Sequence, residues 1–327
     1  MTYSNRWKDF PDYIIGITKE IWEDRGIATL DEYYSADIPV RSPGSVVRGN
    51  KGVVAATMAT LAEFPDRTLF GEDVIWSADG PGECDRSGGH LSSHRLLSTA
   101  THSGDGVYGN ATGKRLTYRI IADCHAVGQT IDDEWLIRDQ GAIVRQLGWE
   151  PKAYAADLIA REGGPETCVK PLTPANDVEG PYCGRGNENE WGAKYADILG
   201  RIMAADLAAI PREYDRACQL EYPGGVTGHS HGDADRFWMG LRASFPSAEF
   251  KVEHVIGRDD PLMAPRAAVR WSLWGTHDGW GVFGPPTGAQ VYVLGASHAE
   301  FGPWGLRREY TLYDETAVWK QILLSTG

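Results

Sequence analysis

Two glutamates, Glu134 and Glu309, stand at matching places in two similar stretches of this chain. Each lies in an alternating, strand-like segment, so Glu134 shares a face with Leu136 and Glu309 shares one with Thr311. In an apolar enclosure such a carboxyl acquires a raised pKa and can shuttle protons. The competing reading is an ion pair with Arg119, Arg138, Arg307 or Arg308. One strand earlier, Asp123 and His125 are two apart, and the matching positions hold His298 and Glu300. A histidine oriented by a carboxylate is a usable base near neutral pH. The opposite face of those strands is apolar (Ile120, Ala122 and Cys124 in one stretch, Val291 and Val293 in the other). Either face could line a pocket. His229, His231 and Asp233 look like a metal cluster but sit between glycines before a helix, where Asp233 is a natural N-cap. No metal is expected. There is no nucleophile elbow and no phosphate-binding glycine loop between strand and helix. The five cysteines, Cys84, Cys124, Cys168, Cys183 and Cys218, have no metal-type spacing and read as free thiols.

The elements that must position these groups come in two copies. Thr101-His102 through Thr112-Gly113 returns 175 residues later (276 − 101) as Thr276-His277 through Thr287-Gly288, with eight of thirteen positions identical. Upstream, Phe64-Pro65 matches Phe245-Pro246 at an offset of 181 (245 − 64). The first copy therefore has six extra residues (181 − 175), placed in the Gly-rich stretch 77–89. Each copy reads as amphipathic helices followed by a meander of strands and a closing helix, an α+β pattern with helices on one face of a curved, mostly antiparallel sheet. The boundaries are 1–149 for the first unit, 150–187 for a connecting helix and irregular linker, and 188–327 for the second unit. With 32 basic and 45 acidic residues the net charge is −13, which disfavours nucleic acid and anionic membrane surfaces as partners. The absence of an apolar span or signal-peptide core predicts a cytoplasmic protein.

The run from Phe245-Pro246 through Val269-Arg270-Trp271, Gly275-Thr276-His277 and Pro286-Thr287-Gly288 to Asp314 and Gln321 resembles the SnoaL-like polyketide cyclase family of the nuclear transport factor 2-like superfamily. The first copy carries the pattern at Thr101-His102, Thr112-Gly113, Trp135, Asp139 and Arg145-Gln146-Leu147-Gly148. The resemblance implies two tandem conical units, each enclosing an apolar pocket, packed as an internal pseudo-dimer, with a further homodimer of whole chains allowed. It also implies cofactor-free acid/base chemistry of the cyclase, isomerase or lyase type on a carbonyl-containing or hydroxylated small molecule. The alternative is a non-catalytic binding or assembly module of the same fold. The family's catalytic aspartate, three residues before Asp139 or Asp314, is replaced by Leu136 and Thr311, neither of which transfers protons near pH 7. Arg41 and Ser42 fall where family pockets present polar groups to ligand. Trp271 and Trp274 are core residues by default and would suit a flat ligand at a pocket mouth. The second copy keeps the pattern better, so the expected working residues are Glu309 and His298, with Thr311 beside them, ahead of Glu134, Asp123 and His125.

Overall fold

The computed structural model describes residues 4–78 and 89–327. Cys84 and most of the Gly-rich stretch assigned to the six-residue insertion lie outside the described residues.

The first unit is built from α1 (Phe10–Thr18), α2 (Leu30–Tyr33), β1 (Pro39–Ser42), β2 (Ser45–Arg48), α3 (Asn50–Glu63), β3 (Thr68–Ala78), β4 (Gly89–Thr101), β5 (Arg115–Val127), β6 (Thr130–Arg138) and α4 (Gln140–Leu147). After α5 (Pro151–Arg161) and the linker, the second unit follows the same plan. It comprises α6 (Glu190–Met203), α7 (Ala209–Glu213), β7 (Tyr214–Tyr222), β8 (Val226–His229), α8 (Ser230–Ser244), β9 (Glu249–Arg258), β10 (Arg266–Thr276), β11 (Gln290–Gly302), β12 (Gly305–Tyr313) and α9 (Glu315–Thr326). Among the described residues these strands form two six-stranded sheets, ordered β2-β1-β6-β5-β4-β3 and β8-β7-β12-β11-β10-β9. Only β1–β6 and β7–β12 pair in parallel; the other neighbours are antiparallel. The helices-then-strands reading overlooks the small hairpins β1–β2 and β7–β8, which extend each sheet before its Phe-Pro helix ends.

Local chemistry sets the element ends. Asp139 Oδ1 accepts the Ala142 N–H at 2.9 Å and starts α4, which stops at Gly148 in the left-handed region (φ +99°). Asp314 starts α9 in the same way, through the N–H groups of Thr316 and Ala317. Asp233 does not act as an N-cap. It lies inside α8 and accepts the His229 N–H at 2.8 Å, while His231 Nε2 bonds the Tyr214 carbonyl at 2.9 Å. No cluster of metal-ligating side chains occurs among the described residues. Among the described residues no helix is long and apolar enough to cross a membrane.

Each sheet turns one face to its own helices and the other to the opposite sheet. The shared layer holds Ile121, Ile137, Leu294, Ala296 and Leu312. Around it the equivalent residues Arg95 and Arg270 reach across in opposite directions. Arg95 stacks on Tyr310 and Arg270 on Trp135, each guanidinium 3.6 Å from the ring centre. The linker seals one side: Tyr182 lies between the sheets, stacked on His125 and hydrogen-bonded to His254 Nε2 at 2.6 Å. Cys183 beside it is disulfide-bonded, which corrects the free-thiol expectation there, whereas Cys124, Cys168 and Cys218 are free and buried.

Candidate functional site

Strand β6 sends Glu134, Leu136 and Arg138 to the helix-facing side of the first sheet, as alternation requires. Across the ladder these stand opposite Cys124, Ala122 and Ile120 of β5. One strand further, His94 and Leu96 of β4 face the same way. Together with α1 and α3, they enclose a cavity of about 490 Å³, within the usual range for small organic ligands. Its lining continues over the β1–β2 turn, including Ser42, and onto Asp314, Thr316 and Lys320 at the start of α9. The second unit thus contributes wall to the first unit's cavity. Lys320 Nζ is held by Glu162 at 2.5 Å.

Two polar regions stand out on the sheet side of a mixed lining, which also carries Thr18, Thr57, Thr60 and Gln140. At one, burial pushes Glu134 up to about 7, with nearby Asp133 adding to the rise and a hydrogen bond from the Tyr34 hydroxyl opposing it. Glu134 has no ion pair among the described residues, so the arginine-paired reading does not hold for it. At the other, the Arg138 guanidinium is influenced by the Tyr108 hydroxyl, which donates to Gln140 Oε1, and that of Arg67, which immediately precedes β3, by the Tyr118 hydroxyl. Burial lowers Arg67 to about 10, with Arg138 and Arg25 adding to the effect. His94 stands between the two regions, pushed down to about 3 by burial and by Arg95, and its Nε2 has no hydrogen-bond partner among the described residues. It is a neutral imidazole at any physiological pH.

The residues favoured from sequence lie elsewhere. Glu309 is fully buried in the second unit, accepting hydrogen bonds from Tyr195, Tyr214 and Tyr222 at 2.7, 2.9 and 2.6 Å and from Trp238 at 3.4 Å. Thr311 bonds Ser297 at 2.8 Å, and Ser297 in turn accepts from Trp271 Nε1 at 3.0 Å. Trp271 is therefore core, and Trp274 is partly exposed against Tyr292. His298 lies between the sheets, bonded to Ser93 at 2.8 Å and Arg95 at 3.3 Å, and burial drives its pKa well down. Asp123 pairs there with Arg270 at 2.9 Å, and His125 bonds Asp132 at 2.5 Å. The helix-facing side of these strands, not the histidine-bearing one, lines the cavity. Arg41 is buried against Asp133 and Asp177 and does not line it. Of the expected site residues, Glu134 and Ser42 reach the cavity, and the residues favoured in the second unit do not.

Tyr34, Arg67 and His94 are additions from the structure, and Arg138 changes role from salt-bridge partner to cavity wall. His102 and His277 act as expected, holding their loops through Thr112 at 3.1 Å and Thr287 at 3.0 Å.

No family model matches the sequence, and no curated protein does. Among solved structures the chain is similar to IdmH, a candidate polyketide cyclase from Streptomyces antibioticus (22% identity, TM-score 0.36, covering 42% of this chain and 98% of that one). It is also similar to a candidate polyketide cyclase from Acidithiobacillus ferrooxidans (23%, 0.35, 41% and 91%) and to a SnoaL-like polyketide cyclase from Agrobacterium tumefaciens (18%, 0.32, 41% and 98%). Each solved chain is matched over nearly its whole length by about two fifths of this one.

Proposed function

We propose that the first unit is a SnoaL-like active site performing cofactor-free proton transfer on a small carbonyl compound, supported by the second unit as the other half of an internal pseudo-dimer. The observation carrying this reading is Glu134, a buried carboxyl with a pKa of about 7 that opens onto a ligand-sized cavity. A base matched to neutral pH is both partly ionised and strong enough to remove a proton from carbon beside a carbonyl. The electron pair passes to the carbonyl oxygen as an enolate, and the protonated Glu134 returns its proton to the same carbon or its conjugated neighbour. Tyr34 orients the carboxylate, and neutral His94 is a donor suited to the enolate oxygen. Because Leu136 occupies the position of the family's aspartate, Glu134 works from two residues earlier on the same strand face.

The test is solvent deuterium exchange into 2-tetralone, followed by NMR. The protein should accelerate exchange, and Glu134→Gln should remove on the order of 10² to 10⁴ of that acceleration. Exchange at the buffer rate with wild-type protein, or equal exchange by the variant, overturns the catalytic reading. Tight ligand binding without exchange would point instead to a binding module.

A further inference from the structure

The two arginines at one end of the cavity lack counter-ions among the described residues. Neither Arg67 nor Arg138 has an ion-pair partner among the described residues. Arg67 is only 5% exposed, yet its Nε makes no hydrogen bond, and neither does that of Arg138. Tyrosine hydroxyls act on each guanidinium but carry no compensating charge. Asp314 acts on Arg138 through space without forming an ion pair, and its Oδ1 accepts from the N–H groups of Thr316 and Ala317 and from the Thr316 hydroxyl. Arg25 adds a third positive charge near Arg67. Uncompensated buried charge is costly, so a fold retains it where something else completes it.

The second unit shows that the fold does not need these charges. Arg67 stands opposite Ala248 at the upstream offset, and Arg138 stands opposite Tyr313 at the downstream one. Both counterparts are buried in the packed second core. The guanidiniums therefore accompany the cavity and not the architecture.

We propose that Arg67 and Arg138 bind the carboxylate of an organic acid whose apolar, ring-sized body fills the cavity toward Glu134. Guanidinium forks match a carboxylate in geometry and charge. Glu134 and Arg138 are four residues apart on one strand, about 13 Å along it, which leaves room for a ring system between the two groups. The apolar middle of the lining (Ile17, Val53, Leu96, Ile120, Leu136) selects an apolar body over a small hydrated anion. The orientation toward Glu134 rests on the catalytic reading above; the anion end does not.

The experiment compares 2-naphthoate with its neutral isostere 2-naphthamide by isothermal titration calorimetry. The variants are Arg67→Ala and Arg138→Tyr, which install the second unit's own residues, and Arg138→Lys, which keeps the charge without the fork. Wild-type protein should prefer naphthoate by about tenfold or more, the contribution of one charge-assisted hydrogen bond. Either neutral variant should erase that preference while changing naphthamide affinity by less than about threefold, and Arg138→Lys should retain part of it. Circular dichroism confirms folding; if a neutral variant fails to fold, the Lys variant and the wild-type preference decide. Equal affinity for both probes, no binding of naphthoate, or an unchanged preference in the folded neutral variants overturns the proposal. Naphthoate preference without tetralone exchange leaves the anion end standing and removes the catalytic reading, and exchange without the preference does the reverse.

Discussion

The same carboxylate occupies two opposite environments in this molecule. Glu309 and Glu134 sit at equivalent points of equivalent sheets, but four donors enclose Glu309, whereas Glu134 has Tyr34 and an open cavity. The difference comes from what fills each interior. Trp238 and Trp271 are completely buried in the second unit, and Phe237 stacks on Tyr222 at 3.7 Å. By the repeat offsets these three aromatic positions correspond to Thr57, Leu96 and Ala56, all of which line the first cavity. A buried acid whose lone pairs are all taken is a structural hub; one with free capacity facing a void can still accept a donor from whatever enters it. The interior of one unit is filled by aromatic side chains, while that of the other holds a cavity.

The strongest way to break that comparison is to exchange the fillings. Trp238→Thr should leave a void against Trp271 and Glu309 and cost about 3 to 5 kcal/mol, read from urea denaturation. Thr57→Trp, its mirror image, enters existing space and should cost less while abolishing 2-naphthoate binding. Equal costs would show that the first interior is as tightly packed as the second.

Replacing the carboxylates themselves sharpens the contrast at smaller amplitude. In Glu309→Gln, an amide NH₂ replaces one acceptor oxygen, so the tyrosine hydroxyls on that side must turn from donating to accepting, and the network should lose about 1 to 3 kcal/mol. Glu134→Gln can still accept from Tyr34 through its amide oxygen, so its cost at neutral pH should be near zero. Matched urea titrations of the two variants measure the difference, and comparable losses would contradict the environments described for the two glutamates.

These asymmetries mark how far the sequence could be read. The duplication and the strand meander are legible because eight of the thirteen positions in Thr101–Gly113 return unchanged and because β9 alternates Phe250, Val252, His254 and Ile256. The hairpin β1–β2 is harder to see, since four-residue strands have too few alternations, although Cys218, Leu220 and Tyr222 in β7 do keep period two. The cavity's location was hidden for a different reason. Interior volume is a sum over residues far apart in sequence, so better retention of a family motif in the second unit says nothing about emptiness. A position-by-position comparison of the copies carried the signal: Thr57 against Trp238, Leu96 against Trp271, Arg67 against Ala248. The histidine-bearing strand face could not be assigned from alternation alone, because both faces of each sheet are buried, one by helices and one by the other sheet.

The finest probe of the comparison is the pH dependence of stability in Glu134→Gln. A carboxyl raised from 4.5 to about 7 holds its proton more tightly in the folded chain than in the unfolded one. Its contribution is therefore fully present below pH 4.5, declines as pH rises through 4.5 to 7, and is absent above that window. The shift of about 2.5 units sets a ceiling of about 3 kcal/mol, which solvent in the cavity reduces to on the order of 1 kcal/mol. Asp139 and Asp314, both raised to about 6 by burial, slope in the same direction, so the wild-type profile alone cannot isolate Glu134. The difference between wild type and Glu134→Gln can, because the aspartates are common to both. Relative to wild type, the variant should gain about 1 kcal/mol between pH 5 and pH 8, measured by urea denaturation at each pH. A difference that stays flat across this range would mean that Glu134 is ionised at both pH values in the folded protein, and its role as a base poised near neutrality would fail with it.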